Sequence, residues 1–242
     1  MPDQATQLRR LIRDVKANAS PRVALPPLVA VASAQEKVDT AEIAFELAAA
    51  LAAMHRRVLL VGADASYCRP NVNAFLSIAA VSETKNLLQL HEAGHLPVSE
   101  NTEMILVDAE DLAEAHWIRH ARQIVIAIPP SSRAVVESYT CVKKLSNAGV
   151  VNHEKIRPVL SDYVPRTVAS KLLKQFDSTC KQFLNLRVAD GFVLAGVDRQ
   201  QTLQASAALA HELAIECLAT NVSFRQVSQH RRNPACRRVG ST

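Results

Sequence analysis

The sequence predicts an α/β fold: a doubly wound, mainly parallel sheet flanked by helices and preceded by an N-terminal helical arm. Three observations carry this expectation. Short apolar runs recur along the chain, and helix-patterned segments separate them. The runs are apolar throughout, as strands covered on both faces are. The intervening segments are long enough to carry right-handed crossovers between parallel strands.

Residues 3–17 come first. Ala5, Leu8, Ile12 and Val15 recur at helical spacing, with Arg9, Arg10, Arg13 and Lys16 on the other side, so the segment reads as a basic amphipathic helix. Ser20, Pro21, Pro26 and Pro27 cannot continue it and mark a linker. Leu28–Ala32, Val58–Val61, Met104–Val107, Ile124–Ile128, Pro158–Leu160 and Phe192–Ala195 read as strands. The clearest helices between them are Thr40–Met54, Arg133–Ser146, Arg166–Leu184 and Thr202–Ala219. The expected divisions are an arm over 1–20, an α/β domain over 28–222 and a basic tail over 223–242.

Composition sets the outer limits. With 242 residues, 48% hydrophobic and 21% charged, the chain fits one globular domain or two small ones and excludes disordered and collagen-like classes. Cys68, Cys141, Cys180, Cys217 and Cys236 form no CxxC pair, which points to a reducing, cytoplasmic setting rather than a disulfide scaffold. The most apolar stretch, residues 41–54, contains Glu42 and Glu46 and falls short of the ~20 residues a membrane span needs. The net charge of +5 belongs to the ends: Arg225, Arg231, Arg232, Arg237 and Arg238 meet no acid, and the first 24 residues are also basic. Such ends suit solvated tails, anionic lipid or nucleic acid.

In a doubly wound sheet, ligands bind beyond the carboxyl ends of the strands, so the segments after Ala32, Val61, Val107 and Ile128 are where chemistry is expected. The run Val29-Ala-Val-Ala-Ser-Ala-Gln-Glu-Lys-Val-Asp-Thr-Ala41, an Ala-rich helix, and Arg57-Val-Leu-Leu-Val-Gly-Ala-Asp64 together resemble the opening of the MinD/ParA-type P-loop ATPases. That family begins strand, SGKGGVGKT, helix, strand, DxD. The spacing from Ser33 to Asp64 matches without a gap. By this resemblance Gln35 stands at the family's first lysine, and Ala34, Glu36, Lys37 and Asp39 stand at its glycines. Thr40 takes the second lysine's place and Ala41 that of the Mg²⁺-binding hydroxyl.

Met104-Ile-Leu-Val-Asp108 resembles the Walker B strand, and Ala121–Pro130 with Val136-Glu-Ser-Tyr139 resembles the following strand and helix. Asp3-Gln-Ala-Thr-Gln-Leu-Arg9 is similar to the DQAxxLR segment of the FlhG (FleN, YlxH) branch, regulators of bacterial flagellar number and placement. Between Leu90 and Met104 the chain is shorter than the family, so one strand is expected to be missing from the sheet.

The differences bear directly on hydrolysis. A phosphate cradle needs backbone N–H groups converging on one anion, a geometry that glycine supplies cheaply, and the first glycine here is Gly62. Glu36 and Asp39 outweigh Lys37, so the loop repels triphosphate. The degenerate nucleotide site is thus Ser33, Gln35, Lys37 and Thr40, with Asp64 and Asp108 as vestigial catalytic acids or plain strand-end carboxylates. The expectation is a pseudo-ATPase without cofactor; the alternative is a divergent ATPase using ATP and Mg²⁺ around Lys37.

The FlhG resemblance implies an FlhF-type signal-recognition GTPase as partner, met by Asp3, Gln4, Ala5, Leu8 and Arg9. It also implies flagellar C-ring components as further partners; the MinD/ParA family dimerises around ATP through its first lysine, so Gln35 in that place implies a monomer or a dimer insensitive to nucleotide. The family's terminal membrane helix has a weak counterpart in Phe224, Arg225, Val227, Arg231 and Arg232, compatible with peripheral contact at the inner membrane or cell pole. A MinD-like scaffold for cellulose secretion or partitioning is the third alternative.

Two rival signals carry less. His91-Glu-Ala-Gly-His95 fits HExxH, and His116 and His120 form a second i, i+4 pair. Gly94 and Leu96-Pro97 argue against a helix there, and no metal site is expected. Ser33, Ser131 and Ser132 lie at strand ends without a GxSxG elbow, so nucleophilic hydrolysis has no support.

Overall fold

The computed structural model describes residues 25–35, 38–62, 73–81, 87–109, 116–152, 154–194 and 199–231; for 116 and 218–231 it describes the backbone alone. The strands are β1 (Leu28–Ser33), β2 (Val58–Gly62), β3 (Leu76–Ala80), β4 (Met104–Asp108), β5 (Ala121–Ile128), β6 (Ile156–Leu160) and β7 (Phe192–Val193). The helices are α1 (Thr40–Ala53), α2 (Leu87–Glu92), α3 (Ser132–Asn147), α4 (Arg166–Leu184) and α5 (Arg199–Arg231), with a 3-10 turn at His116–His120. The strands form one seven-stranded sheet in the order β3-β2-β4-β1-β5-β6-β7, every neighbouring pair parallel.

Alternate residues of β1 feed two cores. Leu28, Ala30 and Ala32 pack with Trp117 and with Val135 and Val142 of α3 and Leu172 and Phe176 of α4. Val29 and Val31 pack with Leu47 and Leu51 of α1 and Leu209 and Leu213 of α5. Covering on both faces accounts for the unbroken apolar runs that betray these strands in the sequence.

One strand escapes the sequence reading. Leu76-Ser-Ile-Ala-Ala80 pairs with β2 and forms the sheet edge, with Ser77 and Ala80 exposed. Half of it faces solvent and it carries one β-branched residue, so it lacks the signature of a buried strand. The sheet therefore holds seven strands where six were legible in the sequence, and no strand forms between Leu90 and Met104, where one was expected to be missing.

Helix ends follow local chemistry. The Asp39 carboxylate accepts from the Glu42 N–H at 2.9 Å and caps α1, while Ser131 Oγ accepts from the Ala134 N–H at 3.1 Å and caps α3. Asn185 ends α4 in the left-handed region at φ 49°, where a short polar side chain is tolerated. The last helix runs to Arg231, past the Ala219 boundary expected from sequence.

The arm residues Asp3, Gln4, Ala5, Leu8 and Arg9, together with Lys37, Asp64 and Arg232, lie outside the described residues. So do the side chains of Phe224, Arg225, Val227 and Arg231. Among the described residues no helix is long and apolar enough to cross a membrane.

Candidate functional site

The strand order reverses direction around β1, with β4 on one side and β5 on the other. The crevice beyond their carboxyl ends is the default ligand position of such a sheet. It gathers Ser33, Gln35, Thr40 and Asp108 from well-separated parts of the sequence.

Ser33 ends β1. Its hydroxyl donates to the Ala127 carbonyl at 3.0 Å and accepts from the Gln35 N–H at 3.1 Å, so one side chain ties the loop to β5 and occupies a loop amide. Gln35 Nε2 donates to Glu137 Oε2 on α3, and the other oxygen of that carboxylate accepts from Arg133 Nε at 2.8 Å. The Arg133 bond, with help from Gln35, holds the Glu137 carboxyl below its ordinary range. The Arg133 guanidinium is raised in turn by the same partner.

Thr40 opens α1, and its hydroxyl donates to Asp108 Oδ1 at 2.6 Å. Asp108 closes β4 and is buried, 7% exposed. Gly62, at the end of β2, lies against it: a Cβ there would stand 3.4 Å from Asp108 Cβ, in ordinary contact. Each polar group that the sequence places in this crevice and the structure describes thus has an internal partner.

Arg133 and Glu137 belong to the site yet were not singled out as site residues. Their i, i+4 spacing was visible as a helix-surface ion pair. That Glu137 faces Gln35, 102 positions away, depends on the packing of α3 beside β1.

The HExxH run leaves its helix before the second histidine. Helix α2 stops at Glu92, Gly94 takes a left-handed φ of 72°, and His95 donates its N–H to the Leu90 carbonyl. The two histidines therefore do not share a helix face. Among the described residues no group of three or more His, Cys, Asp or Glu side chains converges.

A second polar region lies at the opposite, amino end of β6 and β7, in a cleft of about 590 Å³. Arg157, 2% exposed, crosses it. It donates to the Asp190 carbonyl at 2.9 Å and to Glu216 of α5, and its guanidinium lies 5.5 Å from the centre of the Phe192 ring. The contacts pair both terminal nitrogens of a buried cation, leave its Nε without a hydrogen-bond partner, and join α5 to the sheet. Nearby, buried Lys155 donates to the carbonyls of Ile118, Arg119 and Val150 at 3.2, 3.0 and 2.9 Å. Burial pushes its ammonium down to about 8.

The parallel sheet and its strand order give an α/β fold like that of the P-loop NTPases of MinD/ParA type. Among solved structures, the MinD cell division protein of Aquifex aeolicus matches with a TM-score of 0.55 at 12% identity, over 77% of this chain and 96% of that one. A putative plasmid partition protein of Borrelia burgdorferi B31 bound to AMPPNP matches with a TM-score of 0.55 at 14% identity, over 79% and 98% of the two chains. At such identities the likeness is one of fold. No protein-family model and no curated protein sequence matches the chain.

Proposed function

We propose that this chain is a nucleotide-independent relative of the MinD/ParA ATPases, a pseudo-ATPase of the FlhG kind that regulates flagellar assembly by binding an FlhF-type GTPase. The observation that carries the first half is the Thr40–Asp108 hydrogen bond of 2.6 Å. In the register of the resemblance, Thr40 stands where a lysine would reach phosphate, and Asp108 where an acid would help hold Mg²⁺. Here a neutral hydroxyl meets the acid directly, and Ala41 offers no ligand. Ser33 Oγ already takes the Gln35 amide, while Asp39 adds negative charge at the start of α1. These residues do not fit Mg-ATP, and no step of hydrolysis is derived from them.

The second half rests on Asp3-Gln-Ala-Thr-Gln-Leu-Arg9 in the sequence. A glutamine or arginine presented by a helix positions water or neutralises developing charge in a partner's phosphoryl-transfer site, which suits Gln4 and Arg9 to stimulate a GTPase. A peptide of residues 1–20 is expected to raise the partner's GTP hydrolysis, with Gln4→Ala weakening the effect. Failure of the intact protein to stimulate would refute the partnership.

The competing reading, a divergent ATPase, draws support from the AMPPNP-bound structural neighbour. Calorimetry with Mg-ATP separates the two, since saturable micromolar binding is expected of the enzyme alone.

A further inference from the structure

Charge is divided unevenly over the surface of this molecule. The two helices that lie side by side on one face of the sheet, α3 and α4, expose Lys143, Lys144, Arg166, Lys171 and Lys181, while Lys174 shares the cleft at the amino end of β6 with Asp177. The acids on those helices are Glu137 and Asp177. Glu137 is already engaged by Arg133 and Gln35, and Asp177 turns toward the cleft at the amino end of β6. Outside the two basic ends of the chain the protein carries net negative charge, so this helix pair is a basic face on an otherwise acidic domain.

Bulky apolar side chains stand among the lysines. Val136 is 58% exposed, Val168 41% and Phe183 65%, although both helices have well-filled buried sides. Phe183 reaches only the edge of Tyr139, at 6.3 Å between ring centres.

We propose that the outward face of α3 and α4 docks on an anionic lipid surface. Three features favour lipid over other polyanions. The face is a pair of parallel helices rather than a groove shaped to follow a nucleic-acid backbone. Its cations are mostly lysines, point charges suited to a diffuse layer of headgroups, whereas bidentate phosphate recognition favours arginine. The exposed valines and Phe183 gain by entering the headgroup boundary and have no use against a phosphate backbone. The surface lies on the opposite face of the sheet from α5, and the proposal stands independently of the nucleotide site and of any GTPase partner.

The test is co-sedimentation of the full chain with vesicles of phosphatidylglycerol and phosphatidylcholine, with pure phosphatidylcholine as control. The wild type is expected to pellet with the anionic vesicles alone and to be released as salt rises. Substituting Lys143→Gln, Lys144→Gln, Lys171→Gln and Lys181→Gln is expected to weaken binding about fivefold per lysine, with the circular dichroism spectrum unchanged. Phe183→Ser is expected to weaken binding while leaving its salt dependence in place. Arg231→Gln with Arg232→Gln is the comparison that separates the tail from this face. Three results would each overturn the proposal: a wild type that stays in the supernatant, a lysine variant that pellets like the wild type, or pelleting that follows the tail arginines. Duplex DNA retained through the same lysines, without vesicle binding, would assign the face to nucleic acid instead.

Discussion

Two residues set the local energetics of this molecule. Thr40 supplies buried Asp108 with a hydroxyl donor. Thr40→Val keeps the shape and removes that donor, so a loss of about 1–3 kcal/mol is expected in urea unfolding, the cost of a buried polar group short of a bond. Lys155 is the second. Its ammonium has its pKa lowered by burial to about 8, against 10.5 in the unfolded chain. Between those values the unfolded chain binds the proton that the native protein has released, so this lysine makes stability rise with pH across that window. Below about pH 8 both states are charged and the burial penalty is constant. The stability of the wild type relative to Lys155→Met is therefore expected to rise between about pH 8 and about pH 10, and a flat difference would show that the lysine does not titrate there.

Elements follow from short-range chemistry plus one face of burial. Helix α3 begins at Ser131, whose side chain caps the Ala134 amide, so Ser131→Ala is expected to cost about 1 kcal/mol. The same change should loosen the Arg133–Glu137–Gln35 chain, which begins in the first turns of that helix, read out as faster amide exchange at Gln35. Helix α5 is fixed to the sheet by the Arg157–Glu216 pair, with Arg157 buried and Glu216 partly exposed. Glu216→Ala strands a buried cation, and a loss on the order of 3 kcal/mol is expected by thermal unfolding, discounted if water reaches the gap. The sequence showed α4 to its end residues, because its buried Ala169, Leu172, Phe176 and Cys180 recur at helical spacing. It concealed β3, where an edge position removes the apolar pattern from one face.

For the whole molecule, the seven-stranded sheet divides the core in two and leaves α5, 33 residues and about 50 Å long, running well past strands of at most 8 residues. A ligand that binds the native state at a hundred times its Kd adds about 2.7 kcal/mol to stability. Millimolar Mg-ATP is expected to leave the melting temperature unchanged, and a clear rise would favour the ATPase reading. By itself, the order of residues determined the class of fold and the two-sided covering of the strands. It also determined the change of residue type along the loop after β1, because hydrophobic periodicity and loop chemistry are local properties of a chain. Only the tertiary structure decided that Gln35 meets Glu137 and that Thr40 meets Asp108. It alone set the lysines of α3 and α4 on one outward surface, since such pairings depend on strand order and helix packing, which join positions far apart in sequence.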